Sequence, residues 1–167
     1  MRPRIYLRAP AAADEAAFVA LVRASRTLHR PWLAAPDRPE KFRAWLERVS
    51  QPVHASFLVC RRADDAIVGV VNLSNIVLGL FRSGYLSYYA FAGFEGQGYL
   101  REGLQAVTRH AFGTLKLHRL EANIQPGNTR SLALVRACGF SQEGFSPRYL
   151  KIGGRWRDHE RWALLAS

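Results

Sequence analysis

Gly96-Gln97-Gly98-Tyr99-Leu100-Arg101 leads straight into a helical pattern that runs from Glu102 to Phe112. Glycines at a helix entry let a ligand approach the backbone closely, and the first turn leaves N–H groups without partners. Such a turn can hold phosphate through its backbone alone. The amides from Gly96 and Gln97 through Gly98, Tyr99, Leu100 and Arg101 are the candidates. Further on, Asn123-Ile124-Gln125-Pro126-Gly127-Asn128-Thr129-Arg130-Ser131 opens a second helix. Asn128 and Ser131 sit three apart across its start, so both can face one cleft. An amide and a hydroxyl there can add hydrogen bonds to a ligand. The plainer reading is that Asn128 or Thr129 caps the helix and Ser131 is passive. A helix N-terminus also favours a departing anion with no help from the hydroxyl.

These segments need strands and helices to hold them. Ile5 to Arg8 reads as a first strand, stopped by Pro10, and Ala11 to Ala24 as a helix with Phe18, Leu21 and Val22 at helical spacing. Leu28-His29-Arg30-Pro31-Trp32-Leu33 breaks that pattern. Pro39 starts a helix near Lys41 to Val49, with Phe42, Trp45 and Leu46 on one face. Ala55 to Arg61 and Ala66 to Asn75 are rich in β-formers and joined by a turn at Asp64-Asp65. Tyr85 to Phe91 is a third strand leading into the glycine loop. His118 to Ile124 follows the helix, then a short helix over Thr129 to Ala137. Two last strands, about Phe140 to Lys151 and Arg155 to Leu164, meet at Gly153-Gly154. The order βααβββαβαββ predicts an α/β (α+β) domain, a mixed and mostly antiparallel sheet flanked by helices, spanning residues 1–167 as one unit.

Composition narrows the function classes. With 167 residues and 49% hydrophobic content, the chain can bury a real core. No apolar run approaches the length of a membrane span, and the basic N-terminus has no apolar stretch behind it. The expectation is a cytoplasmic protein without a membrane partner. Cys60 and Cys138 read as buried small hydrophobes, and no Cys/His cluster has metal-ligand spacing. The 24 basic residues against 13 acidic ones give a formal charge of +11, which draws in anions. The arginines are spread along the chain and no nucleic-acid-binding signature accompanies them, so a solvated basic surface is the simpler account.

The glycine loop and the Asn-Pro-Gly-Asn segment, in this order, resemble the Gcn5-related N-acetyltransferase (GNAT) superfamily over nearly the whole chain. The last third resembles its RimJ/RimL branch, which acetylates protein N-termini, notably of ribosomal proteins. Asn123, Pro126, Asn128, Ser131, Gly139-Phe140, Glu143-Gly144 and Arg157-Asp158-His159 carry that likeness. The family's loop, Q/R-x-x-G-x-G/A, falls on Glu95 to Leu100. Gly98 matches its central glycine, Glu95 stands where Gln or Arg is usual, and Leu100 replaces a small residue.

The resemblance implies acetyl-coenzyme A (acetyl-CoA) as the cofactor, with its pyrophosphate over this loop. It implies backbone pairing of the pantetheine arm near Phe91, with plain sheet core as the alternative, and a hydrogen bond from Asn128. It makes Ser131 the acid for the departing thiolate and places His29 and Trp32 near the acceptor. Other members carry a tyrosine one turn beyond that serine, where this chain has Val135. Glu121, Asn123, Glu143, Asp158 and Glu160 lie on strands that can border the cleft, and none matches a family base. Asp158 and His159 read as structural. The acceptor is a protein N-terminus or a small amine; a domain that only binds acyl-CoA is the non-enzymatic alternative. A homodimer stays open. An α-amine has a pKa of about 8 against about 10.4 for lysine, so an N-terminal acceptor needs less help from a base.

Overall fold

The computed structural model describes residues 2–167. Seven strands form one sheet in the order β1-β2-β3-β4-β5-β7-β6. They are β1 Ile5–Arg8, β2 Ala55–Arg61, β3 Ile67–Val77, β4 Ser83–Ala90, β5 Arg119–Ile124, β6 Ser141–Ile152 and β7 Arg155–Leu165. The helices are α1 Glu15–Ala24, α2 Arg26–His29, α3 Pro39–Val49, α4 Tyr99–Gly113 and α5 Thr129–Ala137. The predicted order holds with one addition. α2 is a one-turn helix in the stretch read as a break. Residues 11–14, predicted as helix, instead form a 3-10 turn at Ala12–Asp14 ahead of α1. Asp14 explains that turn: its carboxylate accepts from the Ala11 N–H at 2.8 Å and from the Arg8 guanidinium at 2.7 and 2.8 Å.

Alternating side chains give the sheet two apolar faces. On one, α4 presents Leu104, Val107 and Ala111 to Val59, Val71 and Leu73, and α5 adds Leu132 and Val135. α4 lies close because Gly103 has no side chain; a Cβ there would meet Val59 Cγ2 at 2.7 Å. On the other face α1 and α3 bring Phe18, Phe42 and Trp45 onto Leu58, Val70 and Phe91. Phe18 packs within 5.0–5.6 Å of the Phe42, Trp45 and Phe91 rings.

Every neighbouring pair of strands is antiparallel except β4 and β5, which run parallel. That pair is short: only Ser83–Leu86 and Arg119–Ala122 are in register. Beyond it β4 stays paired to β3 as far as Ala90, and β5 stays paired to β7 as far as Ile124. The two strands therefore part in the middle of the sheet while their outer edges remain hydrogen-bonded.

Candidate active site

The parting of β4 from β5 opens a cleft of about 300 Å³. Strand alternation sorts its lining into two faces. Tyr88 belongs with the α4–α5 side of the sheet, and Asn128 and Ser131 close that side from the start of α5. Ser87, Tyr89, Asn123 and His159 belong to the α3 side, together with Trp45 and Arg48 of α3 itself. The β4 backbone also has a direction. Phe91 N–H donates to Val68 C=O at 3.0 Å, so odd-numbered residues of this stretch turn toward β3. Tyr88 and Ala90 turn toward the gap. His29 confirms the phase, because its Nε2 lies 2.8 Å from Ala90 C=O.

That phase corrects the expectation for Phe91. Its ring is fully buried against Phe18, its N–H is spent on Val68, and its C=O accepts from Phe94 N–H at 3.1 Å. The free edge lies on Tyr88 and the Ala90 N–H. His29 also differs from its expected place at the acceptor. It is 5% exposed, bonds Ala90 C=O and packs edge-on against Tyr89. Burial pushes its imidazole down from the ordinary histidine value, only partly offset by that hydrogen bond, so the ring donates as a neutral clamp. Trp32 does line the cleft. It lies over Gly127, where a Cβ would meet its Cη2 at 3.1 Å, and its C=O accepts from Gln125 Nε2 at 3.3 Å.

The glycine loop keeps its backbone free by committing its side chains elsewhere. Gly96 and Gly98 take φ of 73° and 84°, and Gly98 is the N-cap of α4. The first intrahelical bond is donated by Glu102 to Gly98, so the N–H groups of Tyr99, Leu100 and Arg101 precede it and have no carbonyl in the helix. Gln97 Nε2 donates to Gly93 C=O at 2.7 Å, and its own C=O accepts from Arg4 at 3.0 Å. Arg4 is held by Glu102 at 2.6 Å and lies 4.7 Å from the Tyr99 ring centre. Arg101 reaches Ala137 C=O at 3.3 Å. The two departures from the family's loop pattern both have partners within the chain. Leu100 packs down on Gly69 of β3, where a Cβ would meet its Cδ1 at 3.2 Å. Glu95 accepts from Gly93 N–H at 2.7 Å, and the loop's amides, its own N–H first, hold its carboxyl below the usual range.

At the start of α5, Asn128 Oδ1 accepts from Ser131 N–H at 3.3 Å, so capping is its role within the chain. Ser131 Oγ lies 2.8 Å from the Tyr88 hydroxyl. Burial pushes the Tyr88 phenol well up, so it stays protonated and serves as a hydrogen-bond partner that holds the serine hydroxyl in place. Sequence reading missed Tyr88, whose only signal was its place in an aromatic strand.

The strand carboxylates are all occupied. Glu121 and Glu143 pair with Arg119, Asp158 accepts from Arg148 N–H at 2.8 Å, and Glu160 accepts from the Trp162 indole at 2.9 Å. None lines the cleft. His159 does, contrary to its reading as a structural residue. Its Nδ1 lies 2.9 Å from Arg157 C=O, and a carbonyl only accepts, so Nδ1 is the donor and Nε2 is the nitrogen that bears the lone pair whenever the ring is neutral. Beside it, Asn123 Oδ1 is buried with no partner in the chain. Among the described residues no three His, Cys, Asp or Glu gather as a metal site, and no helix is long and apolar enough to cross a membrane.

Coenzyme A fits what is present: a strand-width gap and free amides at a helix start. Comparison with known proteins agrees. A family model described as an acetyltransferase (GNAT) domain matches residues 4–141. The ribosomal protein uS5-alanine N-acetyltransferase of Escherichia coli is 43% identical over 101 residues, 60% of this chain and 52% of that protein. Spermidine N(1)-acetyltransferase of Vibrio cholerae is 25% identical over 146 residues, 86% of this chain and 83% of that protein. Among solved structures, Mycobacterium smegmatis RimJ in complex with CoA-disulfide superposes with a TM-score of 0.90 at 26% identity, covering 97% of this chain and 82% of that one. The chain spans about half to two-thirds of the length of the first curated relatives it matches. With the parted strands, the glycine-entered helix and the capped α5, it belongs to the GNAT acetyltransferase family.

Proposed function

We propose that the chain transfers an acetyl group from acetyl-CoA to a single primary amine, and that this amine is the N-terminus of a protein. The observation that carries the acceptor class is the charge of the cleft. Among the described residues, no Asp or Glu lines it, and its one fixed charge is the guanidinium of Arg48. A polyamine brings several ammonium groups that need carboxylate partners on desolvation. A peptide brings one amine, partly neutral near pH 7, on an otherwise neutral backbone.

Acetyl-CoA supplies the activated thioester; the chain's own groups do the rest. Tyr99 to Arg101 N–H groups and Gly98 receive phosphate oxygens, and Asn128 stands at the amide-bearing arm. The free edge of β4 at Tyr88 and Ala90 N–H offers donors to a carbonyl oxygen that gains charge, a contribution of about 2.7–4 kcal/mol per donor in comparable sites. His159 Nε2 takes the proton from the attacking amine on the α3 face, directly or through one water. Ser131 Oγ, held by the Tyr88 hydroxyl, would give a proton to the departing thiolate on the α5 face and regain one from solvent. Two protons are thus handled on opposite sides of one gap.

The test is thiol release from acetyl-CoA with short N-terminal peptides, each beside its α-amine-blocked copy, and with spermidine. Release with the free α-amine alone is expected. Turnover of spermidine with none on any peptide overturns the acceptor class. Coenzyme A binding without release from any amine overturns the catalytic reading.

A further inference from the structure

A second cavity, about 270 Å³, continues from the first across the α3 side of the sheet. Trp45, Arg48, Asn72 and Ser87 line both, so the two are joined beside Arg48. Its floor is a polar rung beside the apolar patch of Leu58 and Val70. Ser56, Asn72 and Ser87 are in register on β2, β3 and β4. Ser56 Oγ donates to Asn72 Oδ1 at 2.7 Å, and Asn72 Nδ2 donates to Ser87 Oγ at 3.3 Å. The rung sits just where α3 ends at Val49, so the sheet is left uncovered over hydrogen-bonding side chains.

Arg48 stands over this junction. Several basic side chains near α1 and α3 are paired: Arg43 with Glu15, and Lys41, Arg26 and Arg38 with Asp37. Arg48 has no carboxylate partner among the described residues, and no Asp or Glu lines either cavity. His54 is the other basic side chain in the groove. A guanidinium with five donors, left unpaired over a half-enclosed polar groove, is complementary to a planar anion.

We propose that the acceptor chain beyond its amine runs into this groove, and that Arg48 there binds a carboxylate side chain close to the acceptor's N-terminus. This rests on the peptide reading above and names its specificity: an N-terminus followed within a few residues by Asp or Glu. The Ser56–Asn72–Ser87 rung serves the intervening backbone, since Ser and Asn side chains both donate and accept.

The test uses neutral peptides in which a single Glu is moved through positions 2 to 5, each compared with Gln at the same place. At one position Glu is expected to lower KM about fivefold to tenfold relative to Gln with little change in kcat, the size of a partly exposed charge-assisted contact. In Arg48→Ala the Glu/Gln ratio falls to about one, and Arg48→Glu inverts it. Both side-chain changes are at an exposed position, and melting curves check that the fold survives. Equal KM for Glu and Gln at every position overturns the proposal. So does a preference that persists in Arg48→Ala, which would trace to the general field of a +11 chain. Binding of the N-acetylated peptides, measured by calorimetry, reads the groove without turnover. Glu-selective binding lost in Arg48→Ala, with no acetylation of any peptide, would sustain this site and sink the transfer reaction.

Discussion

The two faces of the gap between β4 and β5 carry different chemistry by different means. On the α4–α5 face, the groups are mostly backbone: the amides before Glu102, the Asn128 cap and one serine tied to Tyr88. They come from two continuous stretches, each fixed by a helix start. On the α3 face the groups are side chains from four strands and a helix, Arg48, Asn72, Ser87, Asn123 and His159, brought together only by the sheet. The first face suits a ligand that does not vary, since amides offer the same donors whatever the neighbouring side chains. The second suits a ligand that does vary, since its recognition changes with one substitution. In the proposed mechanism the same division separates the proton given to the leaving group from the proton taken from the amine.

His159 makes the sharpest test of that division. Among the described residues it is the only histidine that lines the cleft, and general-base assistance is worth about 100-fold at the low end of its range. His159→Ala is expected to lower kcat about 100-fold at pH 7 while leaving KM for acetyl-CoA within about twofold. The loss should shrink above the α-amine pKa of about 8, where the acceptor is already deprotonated. A pH-independent loss, or a matching rise in KM for acetyl-CoA, would place His159 on the donor side and break the two-face account.

The opposite face gives a smaller effect. Ser131→Ala and Tyr88→Phe are each expected to slow kcat about tenfold, about 1.4 kcal/mol, since the α5 N-terminus still favours the thiolate. The double variant should be little worse than either, because Tyr88 acts through the serine 2.8 Å away. Single-turnover measurements check this. Additive losses would mean that Tyr88 acts on its own, through its backbone edge or the acceptor.

The same contrast explains what the sequence made legible. Helix entries announce themselves locally, so glycine and cap spacing puts residues 98–101, Asn128 and Ser131 at helix starts, while the roles expected of them come from the family resemblance. The order of elements along the chain followed from periodicity, except at residues 11–14 and 26–29, where the Asp14 contacts and a single helical turn override it. Phe91 was placed in the right strand and the wrong phase. Period-two alternation is fixed by the ladder to β3, and a one-residue error turns a free edge into a bonded one. His29 and His159 exchanged roles for a related reason. Nothing local tells a buried clamp from a cleft residue; only the Ala90 carbonyl beside one and the open gap beside the other do so. Arg48 carried no signal at all, because its meaning lies in the absence of a partner.

Glu95 offers the finest discrimination, and its expected effect is the smallest. A carboxylate in a phosphate-binding loop ought to repel the pyrophosphate, and its removal ought then to tighten acetyl-CoA markedly. In the fold the carboxylate instead accepts from Gly93 N–H and is held ionised by the amides of its own turn, so part of its charge is spent on the loop. Arg130, at the start of α5, adds to that stabilisation. Glu95→Gln therefore trades a modest gain in field for a looser turn, and KM for acetyl-CoA is expected to move less than threefold in either direction. Because Glu95 is exposed, salt screens what repulsion remains, and the difference should narrow further between low and physiological ionic strength. A tenfold tightening that disappears in salt would show instead that the carboxylate faces the phosphates, and that the constant face of the cleft is tuned by a side chain after all.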